Sequence, residues 1–234
     1  MTTDYISVND LNDLNDLNNL NINCRTNFIT KVYSLLFVQL LITTLISVLF
    51  MEVEIIRNYV ILHINFMYYS ICFSFLFLIL LFCFNKYPYN LILLEFFTFT
   101  VSYMIGTVSA IYKQNNNDDI IVYSFVITLI VFLLLTFYIH YSKKNFSCLG
   151  GFLFVCLNIS IGYIILILIT GYTPGILYSI LGLLLFVGYI LFDTSLIIHK
   201  YRDDEYVLAV ISLYLDIINF FLKMLEILSY LKKK

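Results

Sequence analysis

The chain has no tryptophan, only two prolines and few charged residues. The lack of tryptophan and the small number of prolines fit a base-composition bias, and we draw no conclusion about function from them. The scarcity of charge is informative, because charged residues make up 12% of this sequence, whereas soluble domains average ~25%. With 62% hydrophobic residues and a mean hydropathy of +0.94, the composition excludes an ordinary soluble domain. It predicts an integral membrane protein in contact with the lipid bilayer.

Two further absences narrow the function classes. The net charge is −2 and no basic, aromatic-rich patch occurs, so nothing argues for nucleic-acid binding. The five cysteines lack metal-ligand spacing and a paired framework, so we expect small apolar packing residues, no disulfide and no cofactor. The first 27 residues lack a charged segment followed by an apolar one, so we expect an uncleaved first span.

Long apolar runs dominate the rest of the chain. Each has the ~20 residues that a helix needs to cross a bilayer, and their connections are short. They cover residues 32–51, 64–84, 91–111, 120–141, 149–170, 175–198 and 206–229. The predicted fold is an all-α integral membrane bundle of seven helices, the seventh central or re-entrant. We divide the chain into a flexible polar tail (1–27), one transmembrane bundle (28–231) and a basic tail (232–234).

Lysines and arginines in the short loops predict the orientation, because cytosolic loops carry the excess of positive charge. One side has the larger set and includes the N-terminus, which we therefore place in the cytosol: Arg25, Lys31, Lys86, Lys143, Lys144, Lys200 and Arg202. The other side has Arg57, Lys113 and the tail lysines 232–234. With seven crossings the tail disagrees with this rule, and six crossings plus a re-entrant segment would satisfy it. The sequence leaves both open.

Two aspartates interrupt the last two apolar runs. A polar turn over Tyr201–Glu205 separates them, and the midpoint between Asp193 and Asp216 falls inside it. An antiparallel hairpin would place both carboxyls ~12–16 Å from the turn, about halfway through a ~30 Å hydrocarbon core. Ionisable groups at that depth are costly and indicate a functional site, and each aspartate is the other's obvious partner.

Two neighbouring carboxyls in a low dielectric cannot both ionise cheaply, so we expect a coupled pair that shares a proton. When both lose their protons, the oxygens form a doubly negative cluster that suits Ca²⁺. Asp193 and Asp216 are thus the predicted pH sensor, ion pathway and weak calcium ligands. The alternative is two separate aspartates hydrogen bonded to hydroxyls such as those of Thr194, Ser195, Ser212 or Tyr214.

Other charges inside the runs are candidate modulators of this pair. Glu95 lies five residues into the third run and could extend toward the cytosolic interface or add a second acidic group. Lys223 follows Asp216 by seven residues, on the same helix face, and could neutralise it. Lys86 and Glu226 complete the set of possible modulators.

Several stretches resemble the transmembrane Bax inhibitor motif family, in particular its Golgi anti-apoptotic and lifeguard members. They extend over about residues 25–231, and the last two are the most specific. They are FITKVYSLLFVQLLITT (Phe28–Thr44), KYPYNLILL (Lys86–Leu94), SKKNFSCLGGFLF (Ser142–Phe154), LFDTSLIIHK (Leu191–Lys200) and EYVLAVISLYLDIINFFLKML (Glu205–Leu225).

This resemblance implies six helices around a central seventh, in Golgi or endoplasmic reticulum membranes. It implies a pH-sensitive calcium leak channel that lowers stored calcium and inhibits apoptosis, with Asp193 and Asp216 as the family's paired aspartates. The expected partners are lipid, calcium ions, and host apoptosis regulators or further copies of the chain. Viral members exist, for which control of host cell death would be the purpose.

The chain departs from the family pattern at several positions. Members carry an arginine-containing basic cluster at the end of the second span, proposed to latch onto the aspartates, but this chain has Asn85 and Lys86 there. A latch would therefore rest on lysine alone. Glu95 and Glu226 occupy places where apolar or basic residues are expected, so the electrostatics of a pore would differ.

Three other functions compete with this hypothesis. An intramembrane aspartyl protease also pairs aspartates on two helices, but Asp193 and Asp216 lack its Gly-x-Gly-Asp and Pro-Ala-Leu contexts, so we expect no enzyme. A retinal or ligand receptor would use Lys223, yet tryptophan and the usual G-protein motifs are missing. The serious alternative is a non-conducting membrane protein that suppresses cell death by binding partners.

Overall fold

The computed structural model describes residues 8–84, 86–142, 144–171 and 175–232, with side chains from residue 23 onward. Regular structure in these ranges is helical. The helices are α1 (Val8–Glu52), α2 (Glu54–Leu62), α3 (Asn65–Cys83), α4 (Tyr89–Gln114), α5 (Asp118–Ser142), α6 (Gly150–Thr170), α7 (Ile176–His199) and α8 (Tyr206–Lys232). Single 3-10 turns at Ser147–Leu149 and Asp203–Glu205 precede α6 and α8.

Seven of these helices are long and apolar enough to cross a membrane. Their apolar parts have 19 to 30 residues, whereas α2 has nine and is too short. Helices are required because lipid offers no hydrogen-bond partners to the backbone. The predicted all-α membrane fold is therefore confirmed, and each predicted apolar run corresponds to one of the seven helices.

Helix α8 is the centre of the bundle. In its apolar part 61% of the residues are buried, against 11% in α3 and 6% in α6. It packs against α1, α4, α5 and α7, while α3 contacts α4 and α6 contacts α7. With 27 residues, α8 is ~40 Å long, which is enough to cross the bilayer. The last helix is thus central in the bundle.

The two ends of α8 lie at opposite ends of the bundle. Its N-terminus adjoins the connection from α7, and its C-terminal Lys232 donates a 2.6 Å hydrogen bond to Asp119 at the start of α5. The C-terminus therefore shares an end with the α4–α5 connection, an arrangement that agrees with seven candidate spans. The position of Lys232 on this side conflicts with the rule that positive charges face the cytosol. Its pairing with Asp119, however, neutralises the charge of Lys232 locally. Lys233 and Lys234 lie outside the described residues.

The N-terminal region is helical from Val8, within the flexible polar tail that the sequence predicts over residues 1–27; residues 1–7 lie outside the described residues. Helix α1 begins at Val8 and continues without a break to Glu52. Between these residues the chain contains no proline or glycine. Once the apolar part of a helix has formed, each added residue extends it at little cost. The polar repeat can therefore continue the helix beyond the membrane-spanning part.

The cysteines also differ from expectation. Their positions are Cys24, Cys72, Cys83, Cys148 and Cys156, and all five are free. The first four are exposed and Cys156 is half-buried, so they do not pack in the core. Because most of them belong to peripheral segments, their apolar character suits the outer surface of the bundle.

Arg25 joins the start of the first span to the end of α7. Its guanidinium donates hydrogen bonds to the carbonyl oxygens of Leu196, Ile197, Ile198 and Tyr201, the Nε–Ile198 distance being 2.9 Å. The last carbonyls of a helix lack intrahelical partners, and a cation is favourable there. The contact links residues more than 170 positions apart and fixes α1 to the α7–α8 hairpin.

We expect Arg25→Ala to lower the stability of the protein in detergent by about 2 kcal/mol, because several charge-assisted hydrogen bonds are lost. Arg25→Lys should keep only part of the wild-type stability, since an ammonium group cannot reach all these carbonyl oxygens at once. Thermal unfolding of the purified variants measures both. Arg202→Ala is the control, because its exposed pair with Asp204 should contribute little. Equal melting temperatures for Arg25→Ala and wild type would contradict this role.

Candidate functional site

The α7–α8 hairpin brings Asp193 and Asp216 together in the interior of the bundle. Their exposed fractions are 7% and 6%. The two carboxyl groups lie within hydrogen-bonding reach of each other. Both helices run uninterrupted through these positions, so the pair is held by regular backbone on each side. The structure therefore places the two predicted site residues in direct contact at the same level of the hairpin.

A hydrogen bond between two carboxyl groups requires a proton on one of them. Among the described residues, the Oδ2 atom of Asp216 is buried and accepts no hydrogen bond from an N–H or O–H donor. In the same part of the chain, neither aspartate forms an ion pair with lysine, arginine or histidine. The shared proton that we predict from the sequence would satisfy this pair, as in other adjoining carboxyls that hold one proton between them.

Two tyrosines flank the aspartate pair. Tyr201, in the turn, and Tyr189, one helical turn from Asp193, are both close enough to interact electrostatically with both carboxyls. The Tyr201 hydroxyl also lies 3.5 Å from the Ser212 hydroxyl. Sequence reasoning missed both tyrosines. The spacing of four residues between Tyr189 and Asp193 could have identified the first, because it places both on one helix face.

Three of the four hydroxyls considered as alternative partners form hydrogen bonds elsewhere. Tyr214 pairs with the Thr43 hydroxyl at 2.8 Å, which in turn lies 2.9 Å from that of Ser102. Ser195 accepts from the backbone N–H of Phe146 at 2.9 Å. Ser212 donates to the carbonyl of Leu208. Within the described residues, none of these groups, nor Thr194, is hydrogen bonded to an aspartate.

Lys223 does not neutralise Asp216, contrary to expectation. Its Nζ donates a 2.9 Å hydrogen bond to Glu226 Oε2 and lies 4.3 Å from the centre of the Tyr178 ring. The methylene groups of Lys223 pass beside Gly182 on α7, where an added Cβ would lie 3.1 Å from them. Seven residues are about two helical turns, ~10 Å along the axis, so Glu226 is the nearer acid.

The remaining candidates lie away from the aspartates. Lys86 is exposed in the connection between α3 and α4, and Glu95 is half-buried on α4. Neither forms an ion pair within the described ranges. Asn85 lies outside them. Among the residues that the structure describes, no lysine pairs with either aspartate.

The oxygen atoms of the pair could hold Ca²⁺ only in part. The residues described here contain no group of three or more histidine, cysteine, aspartate or glutamate side chains arranged to hold a metal. Two carboxylates offer at most four oxygens, whereas calcium takes six to eight oxygen ligands. Water or backbone carbonyls would have to supply the rest. Such a site suits an ion in transit better than a resident one.

We expect the shared proton to be visible as the infrared carbonyl band of a protonated carboxylic acid in the wild-type protein near neutral pH. The double variant Asp193→Asn/Asp216→Asn should lose this band, because the acid that holds the proton is removed. Glu54→Gln is the control and should keep it, since Glu54 is exposed. A band that survives in the double variant would show that the proton resides elsewhere.

Comparison with known proteins identifies the family. Residues 25–233 match the model of the family described as "Inhibitor of apoptosis-promoting Bax1". The chain is 36% identical to the Golgi anti-apoptotic protein of vaccinia virus (strain Lister), covering 92% of this chain and 90% of that protein. It is 35% identical to mouse Protein lifeguard 4, over 92% and 89%, and 36% identical to Bax inhibitor 1 of Schizosaccharomyces pombe, over 89% and 78%. The chain therefore belongs to the Bax inhibitor family of multi-pass membrane proteins.

Proposed function

We propose that this protein is a pH-sensitive calcium leak channel of intracellular membranes that lowers stored calcium and inhibits apoptosis. The observation that carries the proposal is the contact between Asp193 and Asp216 inside the bundle, without a basic partner in the described residues. A charged pair of this kind is costly within a membrane unless it serves ion or proton movement. No covalent chemistry is needed.

The gate in this proposal is the contact between α7 and α8. With one shared proton, the two carboxyls attract each other and hold the helices together. When that proton leaves, two negative charges face each other in a low dielectric, where repulsion is strong. The helices separate and the oxygens attract a divalent cation. Rising pH removes the proton, so calcium flux increases with pH and acid closes the path.

The names of the relatives support the cellular part of the proposal. The vaccinia protein is named as Golgi and anti-apoptotic, and the yeast protein as an inhibitor of Bax. We extend these properties to this chain because the similarity covers nearly its whole length. We place it in Golgi or endoplasmic reticulum membranes, with host apoptosis regulators or further copies of itself as the partners.

The orientation is part of the same proposal. Arg25, Lys31 and Arg202 lie toward the end of the bundle that carries the α7–α8 turn, and the positive charge of that end favours the cytosol. The C-terminus would then be luminal. Calcium would enter near the C-terminal end of α8, pass the aspartates and leave beside the α7–α8 turn.

We expect epitope tags at the two termini to lie on opposite sides of the membrane, because seven spans separate them. In sealed microsomes, added protease should remove an N-terminal tag and leave a C-terminal tag intact. Detergent should make both accessible, which serves as the control. Digestion of both tags in intact vesicles would contradict an odd number of crossings.

Calcium efflux from proteoliposomes tests the gate. Wild-type protein should release calcium faster as the pH rises over roughly pH 6–8, because the coupled pair loses its proton. In Asp193→Asn and in Asp216→Asn, the increase in efflux rate across that pH range should be at least about threefold smaller than in wild type. The reason is that an amide cannot provide the second negative charge.

The control is Glu54→Gln, which removes one exposed carboxylate on α2 and should keep the wild-type pH profile. Unchanged profiles in both aspartate variants would defeat the proposed gate. A wild-type protein that protects cells from apoptosis but releases no calcium would favour the alternative of a non-conducting protein that acts by binding partners.

A further inference from the structure

Polar side chains follow the contact between α7 and α8 beyond the aspartates. Toward the turn, Tyr201 lies beside Ser212. Toward the C-terminal end of α8, Lys223 packs against Gly182 and Tyr178 of α7. In an antiparallel pair of helices, the residue numbers of facing positions add up to nearly the same value. Positions 193 and 216 add up to 409, and positions 182 and 223 add up to 405, so both pairs belong to the same alignment of the two helices. Asp216 and Lys223 therefore face α7 along one line, which we call the polar seam.

The ammonium group of Lys223 is fixed within this seam by two contacts. Glu226 holds it at 2.9 Å from the same helix, and the face of the Tyr178 ring lies 4.3 Å away. The side chains of Lys223 and Glu226 are only 20% and 29% exposed. The Tyr178 hydroxyl is paired with Ser160 on α6 at 3.0 Å, so the ring itself is held in place.

The position of this charge has an electrostatic consequence. Lys223 lies two helical turns, ~10 Å, from Asp216 toward the end of α8 that is luminal in the proposed orientation. A divalent cation moving along the seam would approach a positive charge before reaching the aspartates. In the low dielectric between helices, water screens such repulsion poorly. Glu226 reduces the barrier because its negative charge partly cancels that of Lys223.

We propose that the Lys223–Glu226 pair is a second, luminal gate that sets the rate at which divalent cations reach the aspartate pair. The inference rests on the proposed calcium leak and adds a rate-limiting site to it. If the pair only held α7 and α8 together, replacing either residue would change the calcium efflux rate in the same direction. A gate requires opposite effects, because Lys223 repels the cation and Glu226 offsets that repulsion.

The test measures the initial rate of calcium efflux from proteoliposomes at one fixed pH. Lys223→Gln should raise the rate about tenfold, since the repelling charge is removed. Glu226→Gln should lower it at least about threefold, because Tyr178 still holds an ammonium that is no longer offset. The double variant, which has neither charge, should exceed Glu226→Gln. Lys232→Gln is the control: it removes the same charge from the same helix, but from an exposed pair with Asp119.

The outcomes separate this inference from the proposed function. If wild-type protein releases no more calcium than protein-free liposomes, the proposed leak fails and the gate fails with it. If the wild type conducts while Lys223→Gln matches Lys232→Gln, only the gate is overturned. Rates that fall in both Lys223→Gln and Glu226→Gln indicate a fastening role and also overturn it. If Lys223→Gln does not fold, Glu226→Gln decides, and an undiminished rate rejects the gate.

Discussion

Every polar group that this chain carries into the bilayer has to find its partner within the protein, because lipid provides none. Helix α8 meets this constraint by occupying the centre of the bundle. Along it, Asp216 meets Asp193, Tyr214 meets Thr43, and Lys223 meets Glu226. Asp193 lies on α7 and Thr43 on α1, so the first two contacts tie α8 to different helices, whereas Glu226 belongs to α8 itself. The helix that carries these polar side chains is thus the most buried of the seven candidate spans.

The two sides of α7 are packed very differently. One side faces α8 along the polar seam, and the other faces α6, whose apolar part is only 6% buried. Between α6 and α7 lies an apolar groove of about 760 Å³, lined by residues such as Phe152, Ile159 and Leu181. Lipid chains are fluid, so α7 has space to move outward on that side. In the proposed gate, a change of charge at Asp193 would therefore displace α7 more easily than α8.

The sequence was sufficient to locate seven apolar helices and to place the two aspartates at one level of a hairpin, because length and midpoint symmetry depend on the chain alone. It left six or seven crossings open. It was insufficient where the choice of partner depends on rotation of a helix or on distant segments. Lys223 was considered as a possible partner of Asp216 because both lie on one helix face, although Glu226 is closer along the axis. The contact of Tyr214 with Thr43 joins α8 to α1, and no local pattern indicates which face of each helix is turned inward. The start of α1 was missed because composition predicts polarity better than it predicts helix ends.

The Arg25 contact has a consequence for how the protein is made. Arg25 is synthesised early, whereas the carbonyls that it binds belong to Leu196 and the residues after it. During translation, this guanidinium remains hydrated at the membrane surface until the sixth span, α7, has been synthesised and inserted. Closure of the bundle is therefore a late event that joins the two ends of the polypeptide. Premature termination before the last hairpin would leave the first helix without its contact to the end of α7.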